Sequence, residues 1–271
     1  MDFLTNLGQT SPYPLLIEVD RAEGIFIYDK KGNAYADLIS GIAVSSMGHG
    51  HPTIKKAIHD QIERHLHVMV YGEFIQDAQM EFARELNKIL PDSLQAVYPV
   101  NSGTEANEAA MKLVKRVTGR SEIIAFKGSY HGSTHGSMSI SYNELKKTKY
   151  RPLVPGIRFI TLNQVQELEQ ITTATAGVIL ETIQGDAGVR IPDSSYLQAL
   201  RARCTEVGAL LILDEIQCGM GRAGSMFAFE QFDIVPDVLT LGKALGGGMP
   251  IGALVAAQQH LKTFTHAPML G

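Results

Sequence analysis

Ala209-Leu210-Leu211-Ile212-Leu213-Asp214 is an unbroken apolar run that ends on a carboxylate. A strand of this composition is buried on both faces, as the strands of parallel sheets are. The stretch before it, 196–207, carries apolar residues at helical spacing. The same alternation recurs in both directions along the chain. Upstream, 96–100, 122–126, 157–160 and 177–181 read as strands, with helices at 105–117 and 164–171. Downstream, 238–241 and 251–256 close the series. Continuous apolar strands separated by helices predict an α/β fold, a mostly parallel sheet flanked by helices. Ligands of such sheets bind beyond the carboxyl ends of the strands. Asn101, Tyr130, Glu181, Asp214 and Lys243 all fall at or just past a predicted strand end.

The N-terminal part has a different texture. Residues 1–20 contain Pro12 and Pro14 and are expected to be irregular. Ile25-Phe26-Ile27-Tyr28-Asp29 and Ala34-Tyr35-Ala36-Asp37-Leu38 flank Lys30-Lys31-Gly32-Asn33, which predicts a β-hairpin. Residues 41–52 read as a loop turning into a helix, with Pro52 near its first position. His49 and His51 within it lack a third close ligand, so no metal site is expected. Ile54, Ile58, Ile62 and Leu66 mark one amphipathic helix. Met80, Ala83, Leu86 and Leu90 mark a second, stopped by Pro91.

The 271 residues are 45% hydrophobic with a net charge of −4, enough for one large domain or two small ones. Slight acidity offers no footprint for nucleic acid. Cys204 and Cys218 are the only cysteines, which argues against a disulfide framework and fits a reducing cytoplasm. The first residues lack a basic segment followed by an apolar one, and no apolar run reaches the about 18 residues of a membrane span. Charged residues make up 19%, below the ~25% typical of globular chains, which leans towards a large buried interface. Residues 266–271 read as unfinished, without a closing helix.

Four groups carry candidate chemistry. Val238-Leu239-Thr240-Leu241-Gly242-Lys243 sets a single lysine past an apolar strand, shortly before Gly246-Gly247-Gly248. Burial disfavours its ammonium form, and a neutral amine suits Schiff-base chemistry; a solvated lysine in a glycine turn is the alternative. Asn101-Ser102-Gly103-Thr104-Glu105 joins a strand to a helix. Free N–H groups there, with the Ser102 and Thr104 hydroxyls, could cradle an anion or simply cap the helix. The spacing is not that of a P-loop or a dinucleotide site. Tyr130-His131-Gly132 offers a flat ring for stacking on an aromatic ligand, or else a turn aromatic. Asp214, at the end of a buried strand, calls for a cation; a protonated pyridine nitrogen would be one, and a helix cap or an ion pair with Arg222 is the alternative. An anion cradle, a stacking ring, a carboxylate and a desolvated lysine together suit pyridoxal 5′-phosphate.

On these residues the chain resembles the class III aminotransferases of the pyridoxal-phosphate fold type I, from about Tyr13 onward. Residues 41–52 resemble that family's G-x-x-V-x-x-x-G-H-x-H-P segment, 101–108 (NSGTEANE) its phosphate loop, and 126–132 its F-x-x-x-[FY]-H-G. Glu181-Thr182-Ile183-Gln184-Gly185 resembles E-P-[IV]-Q-G, 213–224 (LDEIQCGMGRAG) its D-E-[VI]-Q motif, and 238–243 its lysine motif. The resemblance implies a cytoplasmic homodimeric transferase of amino-acid metabolism, with an active site shared between subunits. It would move an amino group from an amino acid or an ω-amino donor, acetylornithine- or ornithine-like, to a 2-oxo acid. Lys243 and Asp214 are implied as catalytic: Lys243 attaches the cofactor and moves the proton between Cα and C4′, and Asp214 keeps the ring nitrogen protonated. Ser102, Gly103 and Thr104 are implied to bind phosphate, Tyr130 and Ile216 to cover the two ring faces, and Gln217 to meet the phenolic oxygen. His131 and Glu181 complete the implied cofactor site. Residues 1–50 would then be the N-terminal segment and part of a small α+β domain, and 51–271 the large cofactor-binding domain, with the C-terminal small domain outside this chain.

Three departures stand out. Thr182 replaces the family's usual proline. Ser133 stands where acetylornithine, ornithine and 4-aminobutyrate transaminases usually carry an arginine, so a two-pronged carboxylate grip is missing there. Arg151 and Arg190 are the candidate substitutes, and Glu181 pairs with a pocket arginine in several relatives. The chain also stops before the H-x-T-T-F-G-G loop that in relatives reaches the partner's phosphate. Aminomutases, racemases and decarboxylases share this machinery and form the enzymatic alternative. A cofactor-binding fragment without turnover is the non-enzymatic one. A nucleotide-binding dehydrogenase is disfavoured because no G-x-G-x-x-G follows a strand.

Overall fold

The computed structural model describes residues 2–69 and 72–266; the expectation about 267–271 lies outside the described residues. Three short strands, β1 (Val19–Glu23), β2 (Phe26–Asp29) and β3 (Ala34–Ala36), form a small antiparallel sheet. The β2–β3 pair is the expected hairpin. The large sheet contains β4 (Ala96–Val100), β5 (Glu122–Phe126), β6 (Ile157–Ile160), β7 (Thr175–Glu181), β8 (Leu210–Asp214), β9 (Val238–Leu241) and β10 (Gly252–Ala256). Its order is β4-β10-β9-β8-β7-β5-β6.

The neighbours among β5 to β9 run parallel. β10 runs antiparallel to both β9 and β4. The connection from β9 to β10 is residues 242–251, too short for the dozen or so residues that a parallel crossover needs, so the chain reverses there through its glycines.

Side chains alternate across the sheet, and two helices cover its faces. On one side the helix Gly103–Thr118 packs Ala109, Ala110, Leu113 and Val114 against Ile179, Ile212, Val238 and Leu254. On the other, the helix Ser194–Val207 packs Leu197, Leu200 and Cys204 against Leu180, Leu213 and Leu239. The Gly103–Thr118 helix starts at Ser102, whose side chain accepts a hydrogen bond from Glu105 N, and stops at Gly119 in the left-handed region.

The two amphipathic helices appear as Pro52–Arg64 and Asp77–Asn87, and 164–171 tightens into a 3₁₀ helix, Val165–Gln170. His49 sits in the expected turn, 2.8 Å from Asp37 Oδ2. Burial is concentrated in the large sheet. The Pro52–Arg64 helix buries no residue, and Tyr13, Leu38 and Ile75 are 87, 92 and 92% exposed. Among the described residues no helix is long and apolar enough to cross a membrane.

Candidate active site

Parallel register sets Glu181 opposite Asp214, and Asp214 opposite Thr240. Three polar side chains therefore stand abreast at the carboxyl ends of β7, β8 and β9, on the face covered by the Gly103–Thr118 helix. Asp214 is buried. Its Oδ2 accepts from Asn107 Nδ2 at 2.8 Å and lies 2.7 Å from His131 Nδ1. Its Oδ1 accepts from Ile216 N at 3.0 Å. A carboxylate only accepts, so Nδ1 carries the proton. Asn107 also donates to the His131 carbonyl at 2.8 Å and accepts from Thr240 Oγ1 at 2.9 Å. One carboxylate is thus fixed from two strands, a helix and the loop after β5.

This network overturns one alternative reading. Arg222 is not the partner of Asp214; its guanidinium donates to Ser46 Oγ at 2.9 Å. His131, expected within the cofactor set, lies 2.7 Å from Asp214 Oδ2 through its Nδ1. Its Nε2 is buried without a partner among the described residues.

Lys243 follows β9 through the extended Gly242 and opens a single 3₁₀ turn. Its φ of 46° is a left-handed conformation for a non-glycine residue, the kind of backbone strain that gathers at functional sites. Burial holds its pKa below the usual lysine value, and the charges of Asp214 and Glu181 oppose that shift. No described residue hydrogen-bonds its amine. Glu181 accepts from Tyr130 N at 2.9 Å and from Gly185 N at 3.0 Å, so it ties two loops to the strand end. Burial raises its carboxyl pKa.

The anion cradle is built by close approach. A Cβ on Gly103 would lie 2.7 Å from Ile216 Cδ1, and one on Gly242 3.2 Å from Ile216 Cγ2. Ile216 is thereby wedged between the helix start and the lysine turn. Ser102 Oγ accepts from Glu105 N at 3.2 Å, so the capping role is realised while its hydroxyl proton stays available. Thr104 Oγ1 lies 2.6 Å from Ser137 Oγ and 3.1 Å from Thr134 Oγ1. Glu108 anchors this hydroxyl cluster, accepting from Thr134 Oγ1 and, at 2.9 Å, from Ser137 N.

Gln217 Oε1 occupies the space a Cβ on Gly185 would fill. Tyr130 is partly exposed, its hydroxyl 3.0 Å from Ser133 Oγ. Of the proposed substitute arginines, Arg151 is held by Glu144 at 2.6 Å, and Arg190 lines a separate cleft with Lys127, Thr161 and Asn163. Asn107, Thr240, Glu108, Thr134 and Ser137 were not anticipated from the sequence. An amine without a hydrogen-bond partner among the described residues, a fixed carboxylate and a hydroxyl-lined helix N-terminus suit a ring cofactor bearing a carbonyl and an anionic group.

A mostly parallel sheet with a lysine turn and a carboxylate at neighbouring strand ends defines a class of cofactor-dependent transferase folds. Residues 8–269 match the class-III aminotransferase family, and the chain belongs to it. It is 43% identical to the acetylornithine aminotransferase of Methanopyrus kandleri, over 89% of this chain and 62% of that protein. It is 40% identical to a [LysW]-aminoadipate semialdehyde/glutamate semialdehyde transaminase of Sulfurisphaera tokodaii, over 88% of this chain and 61% of that one. An ornithine aminotransferase structure from Toxoplasma gondii, with partial occupancy of PLP at its active site, superimposes with a TM-score of 0.91 at 28% identity. That match covers 98% of this chain and 64% of the other. The chain therefore spans less than two thirds of the length of these relatives.

Proposed function

We propose that the protein of which this chain is part is a pyridoxal-phosphate-dependent transaminase, using an acetylornithine-, ornithine- or other ω-amino-type donor and a 2-oxo acid acceptor. The observation that carries the reading is a carboxylate locked by Asn107, His131 and Ile216 beside a desolvated lysine without a hydrogen-bond partner among the described residues. The names of the relatives support the donor class. Ser102, Gly103 and Thr104 would hold the phosphate, Tyr130 and Ile216 the two ring faces, and Gln217 the phenolic oxygen.

When bound, the cofactor supplies an electron sink for the carbanion formed at the donor Cα. Asp214 would keep the ring nitrogen protonated, and Asn107 and His131 hold Asp214 in place. Lys243 Nζ, depressed in pKa by burial, would hold the cofactor and serve as the base that accepts and returns the donor's proton. Glu181 fixes the Tyr130 loop.

Residues 1–50 are assigned to the N-terminal part of a small domain and 51–271 to the cofactor-binding domain. Exposed apolar side chains such as Leu38 and Ile75 support a homodimer with a shared active site, and the two free cysteines support a cytoplasmic setting. The test is a donor panel on the full-length, cofactor-loaded protein: ornithine derivatives, 4-aminobutyrate, lysine, diamines and simple α-amino acids. Donor-dependent formation of pyridoxamine phosphate is expected. Turnover of an amino acid without it would instead indicate a racemase, aminomutase or decarboxylase.

A further inference from the structure

Beyond the groups assigned to the cofactor, one loosely held cation stands beside Tyr130. Lys146 Nζ lies 5.8 Å from the centre of the Tyr130 ring. Its only acidic partner among the described residues is Asp186, at 3.7 Å. That separation exceeds a hydrogen bond, and the two side chains are 63 and 54% exposed, so the pair holds weakly and is readily exchanged. The backbone beneath each member is fixed. Lys146 N donates to the Asn143 side chain, and Asp186 follows Gly185, whose N–H is held by Glu181 at 3.0 Å.

The neighbouring cations are committed elsewhere. Lys147 is buried, donating to Ser141 O at 2.8 Å and paired with Glu144 at 3.0 Å, and Arg151 is held by the same Glu144. Asp186 is also among the carboxylates whose charge reaches the Lys243 amine, so it lies within electrostatic range of both lysines. The Ser133 and Tyr130 hydroxyls, 3.0 Å apart, supply further donors on the same loop.

We infer that Lys146 is a carboxylate receptor at this site. An amino donor's carboxylate, remote from its reacting amine, displaces Asp186 and takes the Lys146 ammonium, with the Ser133–Tyr130 hydroxyl pair as a second contact. The substrate class is then the ω-amino acids rather than unfunctionalised diamines. This rests on the transaminase reading above. A single ammonium gives one charge-assisted contact, equivalent to about a 10- to 100-fold preference.

The experiment uses the full-length, cofactor-loaded protein and two donors that differ in one carboxylate, 5-aminopentanoate and pentylamine. Lys146→Gln is expected to lower the ratio of their kcat/KM values about 10- to 100-fold, Lys146→Arg to preserve it, and Asp186→Asn to raise it. A ratio within twofold of wild type in Lys146→Gln overturns the proposal. Calorimetric titration with pentanoate separates this from the transaminase reading. If no donor of the panel above forms pyridoxamine phosphate, that reading fails while the titration still decides the receptor. At least tenfold weaker pentanoate binding in Lys146→Gln supports it, and unchanged affinity overturns it.

Discussion

Asp214 and Glu215 are adjacent carboxylates with separate tasks, set by their surroundings. Asp214 faces Asn107 and His131. Glu215 points the other way, accepting from Thr182 Oγ1 at 2.9 Å and from Ala228 N and Phe229 N at 2.7 Å, which pins the segment after Phe227. Asp214→Asn keeps the shape but cannot hold the proton of a ring nitrogen. Its kcat/KM is expected to fall about 100- to 1,000-fold, against about 1–3 kcal/mol of stability. Steady-state kinetics beside urea denaturation measures both, and a rate near wild type would make Asp214 a structural cap. Burial pushes the Glu215 carboxyl up to about 7. A raised acid is favoured in its neutral form by the fold. Its contribution is therefore fully present below the ordinary carboxylate pKa of about 4.3 and is lost as pH rises through about 7. The difference in denaturation midpoint between wild type and Glu215→Gln should accordingly fall across that window and level off above it; a flat difference contradicts the assignment. Lys243 and Asp214 were legible because a charge at the end of an apolar strand is conspicuous. Asn107 and Thr240 were not, although each is one polar residue in an otherwise apolar buried face, which is itself a sign of a committed partner.

At the scale of elements, the parallel sheet was legible because β7, β8 and β9 are apolar on both faces. The direction of β10 was not, since a continuous apolar run looks the same either way and only the length of the 242–251 connection separates the cases. β1 escaped notice because Val19-Asp20-Arg21-Ala22-Glu23 is almost wholly exposed and lacks an apolar alternation. The helix His135–Ile140 is rich in serine and glycine, poor helix formers, and is held by tertiary contacts: Glu108 accepts from Ser137 N. The loop before it depends on Gly132, with φ 133° and a position where a Cβ would come within 2.1 Å of Thr104 Oγ1. Gly132→Ala should cost about 2–3 kcal/mol and weaken cofactor retention by disturbing Thr104. Urea denaturation and cofactor titration check this; a loss below about 0.5 kcal/mol, within the range of a neutral surface change, would mean that the contact is not tight.

For the whole molecule, the apolar surface is distributed unevenly. The large sheet is enclosed, while Leu38 and Ile75 are each 92% exposed on the N-terminal part. Low overall charge hinted at such a surface; its location could not be read without knowing which apolar residues the large sheet would enclose. The dimer reading predicts that light scattering on the full-length protein gives twice the chain mass. Leu38→Glu combined with Ile75→Glu should raise the dimer dissociation constant more than tenfold, because two buried charges cost well over 1.4 kcal/mol. A monomeric wild type contradicts it.

The central claim, that Lys243 is the residue the cofactor joins, is tested most directly by borohydride reduction of the cofactor-loaded full-length protein followed by peptide mapping. The account predicts a stable pyridoxyl group on the peptide containing Lys243. A label on any other lysine, or none on Lys243, would contradict it.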